Sequence, residues 1–341
     1  MTTTYFRYRP IDQSVVQIRV LTLRPGSYDD PISCELTHYR LDQANDFEAL
    51  SYCWGDPTPS HQVFIGTGSL MVTKSAHSAL RHLRLKDRYR RIWIDAICIN
   101  QADRDERSHQ VKYMGQIFKG ASRVLAWLGP ASPGSAKAID LVRAVSARSP
   151  MKPAIEVWHA VQAFRDLMER PFWSRTWILQ EIICPERAPL IGCGTQWDDW
   201  GTWASANPVD MGVELEEVLN PKSSILGRQT METYTRAFEI FSGINYLRDL
   251  ASELHHHHNG QGITNLNEVL TMSINSNCSD IRDHVFAIVG MIHLDGIPAT
   301  IQPPKPDYNK TVRQVYSEIT KFAIESDQTL LILYLRTHRK T

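Results

Sequence analysis

A chain of 341 residues, 43% hydrophobic and 22% charged, is long enough to bury a large core in one or two subdomains and is not of disordered composition. Lys plus Arg and Asp plus Glu number 37 each, so the formal net charge is zero and no global field draws in nucleic acid or an anionic membrane; any nucleotide site has to be local. The N-terminal MTTTYFRYRP lacks an apolar secretion core, no run of ~18 apolar residues is present to span a bilayer, and six scattered cysteines include no C-x-x-C pair, so a cytoplasmic protein with reduced thiols is expected.

Strand-like runs come first: Val15 to Leu23, Cys34 to Tyr39, Ala49 to Cys53, and a hairpin in VFIGTGSLMV at 63–72 with Gly66 and Gly68 at its turn. A helix is expected from Ser75 to Leu85, then a buried strand in RIWIDAI at 91–97. Val111, Met114, Ile117 and Phe118 follow the helical period from Asp105 to Gly120, and RVLAWLG at 123–129 reads as the next buried strand. Strand, helix, strand is the signature of a parallel sheet with crossover helices. Residues 130–153 look like an insertion around one short helix, AKAIDLVRAV, and Ile155 to Met168 is helical. RPFWSRTWILQEII reads as a further helix with Ser174 as N-cap, and APLIGCG at 188–194 as a strand. Beyond about residue 200 the expected helices are Met231 to Leu250, Asn265 to Ile274, Asp283 to Met291 and Thr311 to Glu325. The resulting organisation is a β extension at 1–46, an α/β domain at 47–205 with its insertion at about 130–170, and a mostly helical region at 206–341.

RPFWSRTWILQE carries the sharpest chemical signal. Residues four apart share a helix face, so Trp177 and Glu181 can line one wall of a site, with Trp173 a turn away and Arg175 and Gln180 beside them. The same pattern can be structural, with Glu181 paired to Arg175, and on residue physics alone the two readings are evenly matched. Ser51, Tyr52 and Trp54 follow a strand at the mouth of an α/β sheet, where ligands sit. Asp95 either points into a site or caps a turn, and Asn100 and Gln101 either read a ligand or fix their own loop. Trp93 and Trp127 lie in apolar strands and are core residues. Cys98 with His109 as base is a weaker arrangement than an inert buried thiol, and His255 to His258 reads as a solvated tract, since consecutive histidines cannot all face one metal ion. No phosphate-cradling G-x-x-x-x-G-K-[S/T] or G-x-G-x-x-G motif is present.

EALSYCWGD at 48–56, IWIDAICINQADRDERSHQVKYMGQIFKGASRVLAWLG at 92–129 and RPFWSRTWILQEI at 170–182 closely resemble three successive blocks of the fungal heterokaryon-incompatibility (HET) domain. CSDIRDHVFAIVGMI and PDYNKTVRQVYSEI resemble segments that commonly follow it. The resemblance, from about residue 47 to 330, implies a fungal protein of self/non-self recognition and programmed cell death. HET domains look like remote relatives of Toll/interleukin-1 receptor (TIR) domains, which implies a flavodoxin-like, mostly parallel α/β fold. In enzymatic TIR domains the glutamate of a W-x-x-x-E helix is catalytic for NAD cleavage, and by position it corresponds to Glu181. The 130–170 segment is longer than its TIR counterpart.

With that resemblance the expected activity is an NAD(P) glycohydrolase, with NAD or NADP as substrate and no prosthetic group. Nicotinamide leaves a pyridinium as a neutral molecule, so one carboxylate suffices where ordinary glycosidases use two. Glu181 steadies the ribosyl cation, Trp177 or Trp54 stacks on the pyridinium, and Arg107 or Arg175, with main-chain N–H groups around Gly55, meets the diphosphate; Ser51, Tyr52, Asp56, Asp95, Asn100 and Gln101 complete the expected substrate contacts. Expected partners are a second copy and another incompatibility or NLR-type protein, with no nucleic acid and no membrane. The alternative is a non-catalytic, self-associating signalling module.

Overall fold

Nine strands follow one another as β1 (Gln17–Leu23), β2 (Ser33–Arg40), β3 (Glu48–Tyr52), β4 (Pro59–Ile65), β5 (Gly68–Thr73), β6 (Arg90–Trp93), β7 (Arg123–Trp127), β8 (Leu190–Cys193) and β9 (Gln196–Asp199). They form a single mixed sheet of order β5-β4-β2-β1-β6-β3-β7-β8-β9 in the computed structural model, which describes residues 4–149, 154–207, 225–257, 273, 276–292, 297–298 and 300–326. Its centre, β6-β3-β7-β8, is parallel throughout. β3, β7 and β8 are short runs buried over most of their length, and β6 is buried at Ile92 and Trp93, as parallel strands inside a sheet are. Read in chain order, the parallel strands stand 2-1-3-4, so the order reverses beside the first strand, here β3.

The hairpin forms as its sequence predicts. Ile65 pairs with Gly68, and Gly66 takes φ +57° at the two-residue turn, a conformation glycine adopts without steric cost. Helix α1 (Lys74–Leu83) follows, capped by the Thr73 hydroxyl accepting from the Ala76 N–H at 3.2 Å.

The N-terminal strands are continuous with the sheet. Leu21 of β1 pairs antiparallel with Ile92 of β6. Arg19, 1% exposed, reaches the Glu106 carboxylate with both terminal nitrogens, at 2.6 and 2.9 Å. It also donates to the carbonyls of Cys98 and Arg9, and Glu106 accepts from the Asn100 N–H at 2.6 Å. One buried ion pair therefore ties the N-terminal segment to the loop that follows β6.

Three segments differ from the periodicity reading. RIWIDAI is a strand only to Trp93; Asp95 opens a one-turn helix, α2 (Asp95–Cys98), in which the Cys98 N–H bonds the Ile94 carbonyl at 2.8 Å. The helix expected from 105 to 120 is two, α3 (Arg104–Lys112) and α4 (Met114–Gly120), separated where Tyr113 leaves helical geometry at φ −105°, ψ 6°. In RPFWSRTWILQEII only α7 (Ile178–Ile183) is helical. Residues 174–176 run instead along residue 277: Arg175 and Asn277 form a parallel bridge, and the Thr176 N–H donates to the Asn277 carbonyl at 3.0 Å. Ser174 is not an N-cap; its hydroxyl donates to the Pro171 carbonyl and accepts from the Asn277 amide. Trp173 is packed in the core rather than stacked a turn from Trp177.

Helices α5 (Ser135–Ser146) and α6 (Ala154–Met168) occupy the expected insertion. After α8 (Trp200–Ser205) comes α9 (Ile225–His257), which contains the expected 231–250 helix and packs on α6 and α7. Phe241 of α9 meets Trp173, Trp200 and Trp203, and the buried Arg248 donates to the Ile182 carbonyl at 2.6 Å and the Pro185 carbonyl at 3.1 Å, satisfying carbonyls at the end of α7. The expected 265–274 helix lies outside the described residues except for residue 273, as does residue 258 of the histidine run. α10 (Asp283–Val289) and α11 (Val312–Glu325) close the described chain, the latter with a Thr311–Gln314 capping box. Among the described residues no helix is long and apolar enough to cross a membrane.

Candidate functional site

Ser51 sits near the C-terminal end of β3, beside the reversal point of the sheet, and its hydroxyl donates to Glu181 Oε2 at 2.5 Å. Arg175 grips the same carboxylate with two parallel bonds, Nη1 to Oε2 and Nη2 to Oε1, each 2.8 Å. A bidentate guanidinium–carboxylate pair is the strongest form of this contact. Glu181 is 2% exposed, so Arg175 stands between the carboxylate and the solvent-facing space. Burial works against the Arg175 charge, and the adjacent Glu181 more than offsets it, holding the guanidinium pKa above its ordinary value.

That space is a cleft of about 430 Å³, within the size range of small-molecule sites. Seven of the expected residues line it: Trp54, Gly55, Asp95, Gln101, Arg107, Arg175 and Trp177. Gly55 takes φ +64°, which lets the chain turn sharply after β3. Asp95, at the start of α2, accepts the Trp54 indole N–H at 2.9 Å and its neighbour's Ala96 N–H at 2.7 Å, while Gln101 donates to the Asp95 carbonyl. Burial and the nearby Glu181 charge push the Asp95 pKa up to about 6, against the opposing pull of Arg175 and the indole bond.

Further lining residues, Asp280, Asp283 and Tyr308, are ones that sequence reasoning did not select. Asp283, first residue of α10, accepts the Trp177 indole N–H at 3.1 Å and the Tyr308 hydroxyl at 2.6 Å. Burial raises its pKa to about 6, the Tyr308 and Trp177 bonds opposing the rise. The Arg107 guanidinium lies 3.9 Å from the Tyr308 ring centre, and Asp280 is paired with Arg282 at 2.5 Å. Asp280 and Asp283 belong to CSDIRDHVFAIVGMI and Tyr308 to PDYNKTVRQVYSEI, so the two segments noted as following the domain carried the signal.

The remaining expected residues do not line the cleft. Glu181 and Ser51 lie behind Arg175, both buried. Tyr52 is buried, its hydroxyl has no partner among the described residues, and desolvation holds its pKa well above the ordinary value. Asp56 is exposed and accepts from the Thr58 N–H, and the Asn100 side chain accepts from the Ala102 N–H of its own loop. Cys98 is fully buried, with burial pushing its thiol up to about 12, which suits an inert thiol rather than a nucleophile. Trp93 and Trp127 are core residues as expected.

The family model for "Heterokaryon incompatibility protein (HET)" matches residues 47–181, a span that opens just before β3 and ends on Glu181. The chain is also 31% identical over 227 residues, 52% of its length, to Heterokaryon incompatibility protein 6, OR allele, of Neurospora crassa. The match spans 33% of that relative. No solved structure matches the chain. Residues 47–181 therefore match the heterokaryon incompatibility (HET) domain, and the chain spans about a third of the length of the Neurospora relative.

Proposed function

We propose that this protein acts in fungal self/non-self recognition and cell death as a TIR-like NAD(P) glycohydrolase. The observation that carries the reading is the buried Glu181 carboxylate, held by Ser51 at the end of β3 and separated by Arg175 from a cleft lined by two indoles. The 2-1-3-4 order of the parallel strands supports the TIR-like comparison, and the name of the Neurospora relative supports the biological setting.

The chemistry follows from the charges. The diphosphate of the substrate competes with Glu181 for Arg175, and the guanidinium turns from the carboxylate toward the ligand. Glu181 then faces the ribose. The bond between the ribose anomeric carbon and the pyridinium nitrogen breaks, both electrons leave with neutral nicotinamide, and the carboxylate stabilises the ribosyl cation. Water adds to that carbon and releases a proton, giving ADP-ribose or its phosphorylated counterpart. The protein works in the cytoplasm, with a second copy and another incompatibility or NLR-type protein as partners. Release of nicotinamide from NAD and NADP by the protein and by Glu181→Gln tests the reading.

A second reading, a non-catalytic self-associating signalling module, is favoured by one observation: both Glu181 oxygens are already engaged by Arg175. On that reading Glu181→Gln alters stability alone.

A further inference from the structure

We infer that the cleft binds a planar aromatic cation against the indole faces of Trp54 and Trp177, with Asp95 and Asp283 as positioning residues for the two rings. The inference rests on the cleft being the functional site and is independent of any catalytic role for Glu181.

The two indoles are held in the same way. Trp54 follows β3 and donates its N–H to Asp95 at the start of α2; Trp177 precedes α7 and donates to Asp283 at the start of α10. Both tryptophans are half-buried and line the cleft; Trp158 and Trp197 are half-buried away from it, and Trp93, Trp127, Trp173, Trp200 and Trp203 are buried. Fixing the N–H edge on a carboxylate stops the ring from turning. It also draws electron density into the indole, and a richer face attracts a cation more strongly.

The charge inventory selects the sign of the ligand. Glu181 is neutralised by Arg175 and Asp280 by Arg282. Asp95 and Asp283 are left against one further cation of the cleft, Arg107, which lies over Tyr308. With both carboxylates ionised, the cleft beside the indoles carries a net negative charge. Each carboxylate is also bonded at both oxygens, Asp95 by Trp54 and the Ala96 N–H and Asp283 by Trp177 and Tyr308, so a hard metal ion would have to displace those donors. A flat delocalised cation does not; it needs only the ring faces and the field.

The test uses 1-methylnicotinamide, a permanent cation, and nicotinamide, its neutral parent, each titrated calorimetrically into the intact protein near neutral pH. Neither contains a glycosidic bond, so the result does not depend on hydrolysis. The expected result is about tenfold tighter binding of the cation. Asp283→Asn and Trp177→Ala, checked for folding by circular dichroism, are expected to reduce that preference to about threefold or less. Equal affinity of the wild-type protein for the two rings, or no measurable binding of the cation, overturns the inference. Cation preference retained in a Glu181→Gln variant that releases no nicotinamide supports both readings; preference absent beside intact turnover overturns this one alone.

Discussion

Arg175 closes on Glu181 with two parallel hydrogen bonds of 2.8 Å, and this pair separates the carboxylate from the cleft it would serve. The guanidinium lines the cleft and the carboxylate does not. A ligand that is to meet Glu181 must first move Arg175.

Removing Arg175 leaves a buried charge without compensation. Arg175→Met is expected to lower stability by about 3 to 5 kcal/mol in chemical denaturation near neutral pH. The double variant Arg175→Met with Glu181→Met should recover most of that loss, because two apolar side chains of similar size need no partner. A cost below about 1 kcal/mol for the single variant would mean that the carboxylate reaches water or another donor.

Asp283 links stability to pH. Its pKa is raised from 3.8 to about 6, mainly by burial, with Tyr308, Trp177, Asp280 and Arg107 acting on it. A carboxyl raised on folding contributes stability that is complete below its unfolded pKa and lost as pH climbs through the folded value. Wild-type protein should therefore gain about 2 to 3 kcal/mol relative to Asp283→Asn between pH ~7 and ~4. A stability difference that stays flat across that window contradicts the assignment.

The Arg19–Glu106 pair makes the N-terminal strands part of the same folding unit as the cleft. Arg19→Met, which strands Glu106, should cost about 3 to 5 kcal/mol. It should also speed amide exchange at Asn100, whose N–H donates to Glu106. Unchanged exchange there would show that the loop is held by other contacts.

The sheet was legible because its strands are short, apolar and bounded by turn residues, and their burial leaves an unmistakable trace in the sequence. The 66–67 hairpin and the parallel centre follow from such local signals and their order in the chain, whereas the spatial order of the strands does not. The course of RPFWSRTWILQE was not legible, because residues 174–176 are extended by bonds to residue 277, about 100 residues away, and periodicity carries no record of that partner. For the same reason the spacing found Trp177 but not Asp283, which holds its indole. Asp95 lines the cleft and is the first residue of a one-turn helix, but it is not that helix's cap, a position Ile94 takes. The pairing of Glu181 with Arg175, read from sequence as the structural option, is present, and a catalytic role requires that pair to open.

The most direct test of the account is nicotinamide release from NAD by the protein at concentrations that permit self-association, with Glu181→Gln run beside it. The account predicts release by the wild-type protein and a rate lowered about 100-fold or more in a folded Glu181→Gln variant. Release that is unaffected by the substitution, or absent from the assembled wild-type protein, would contradict it.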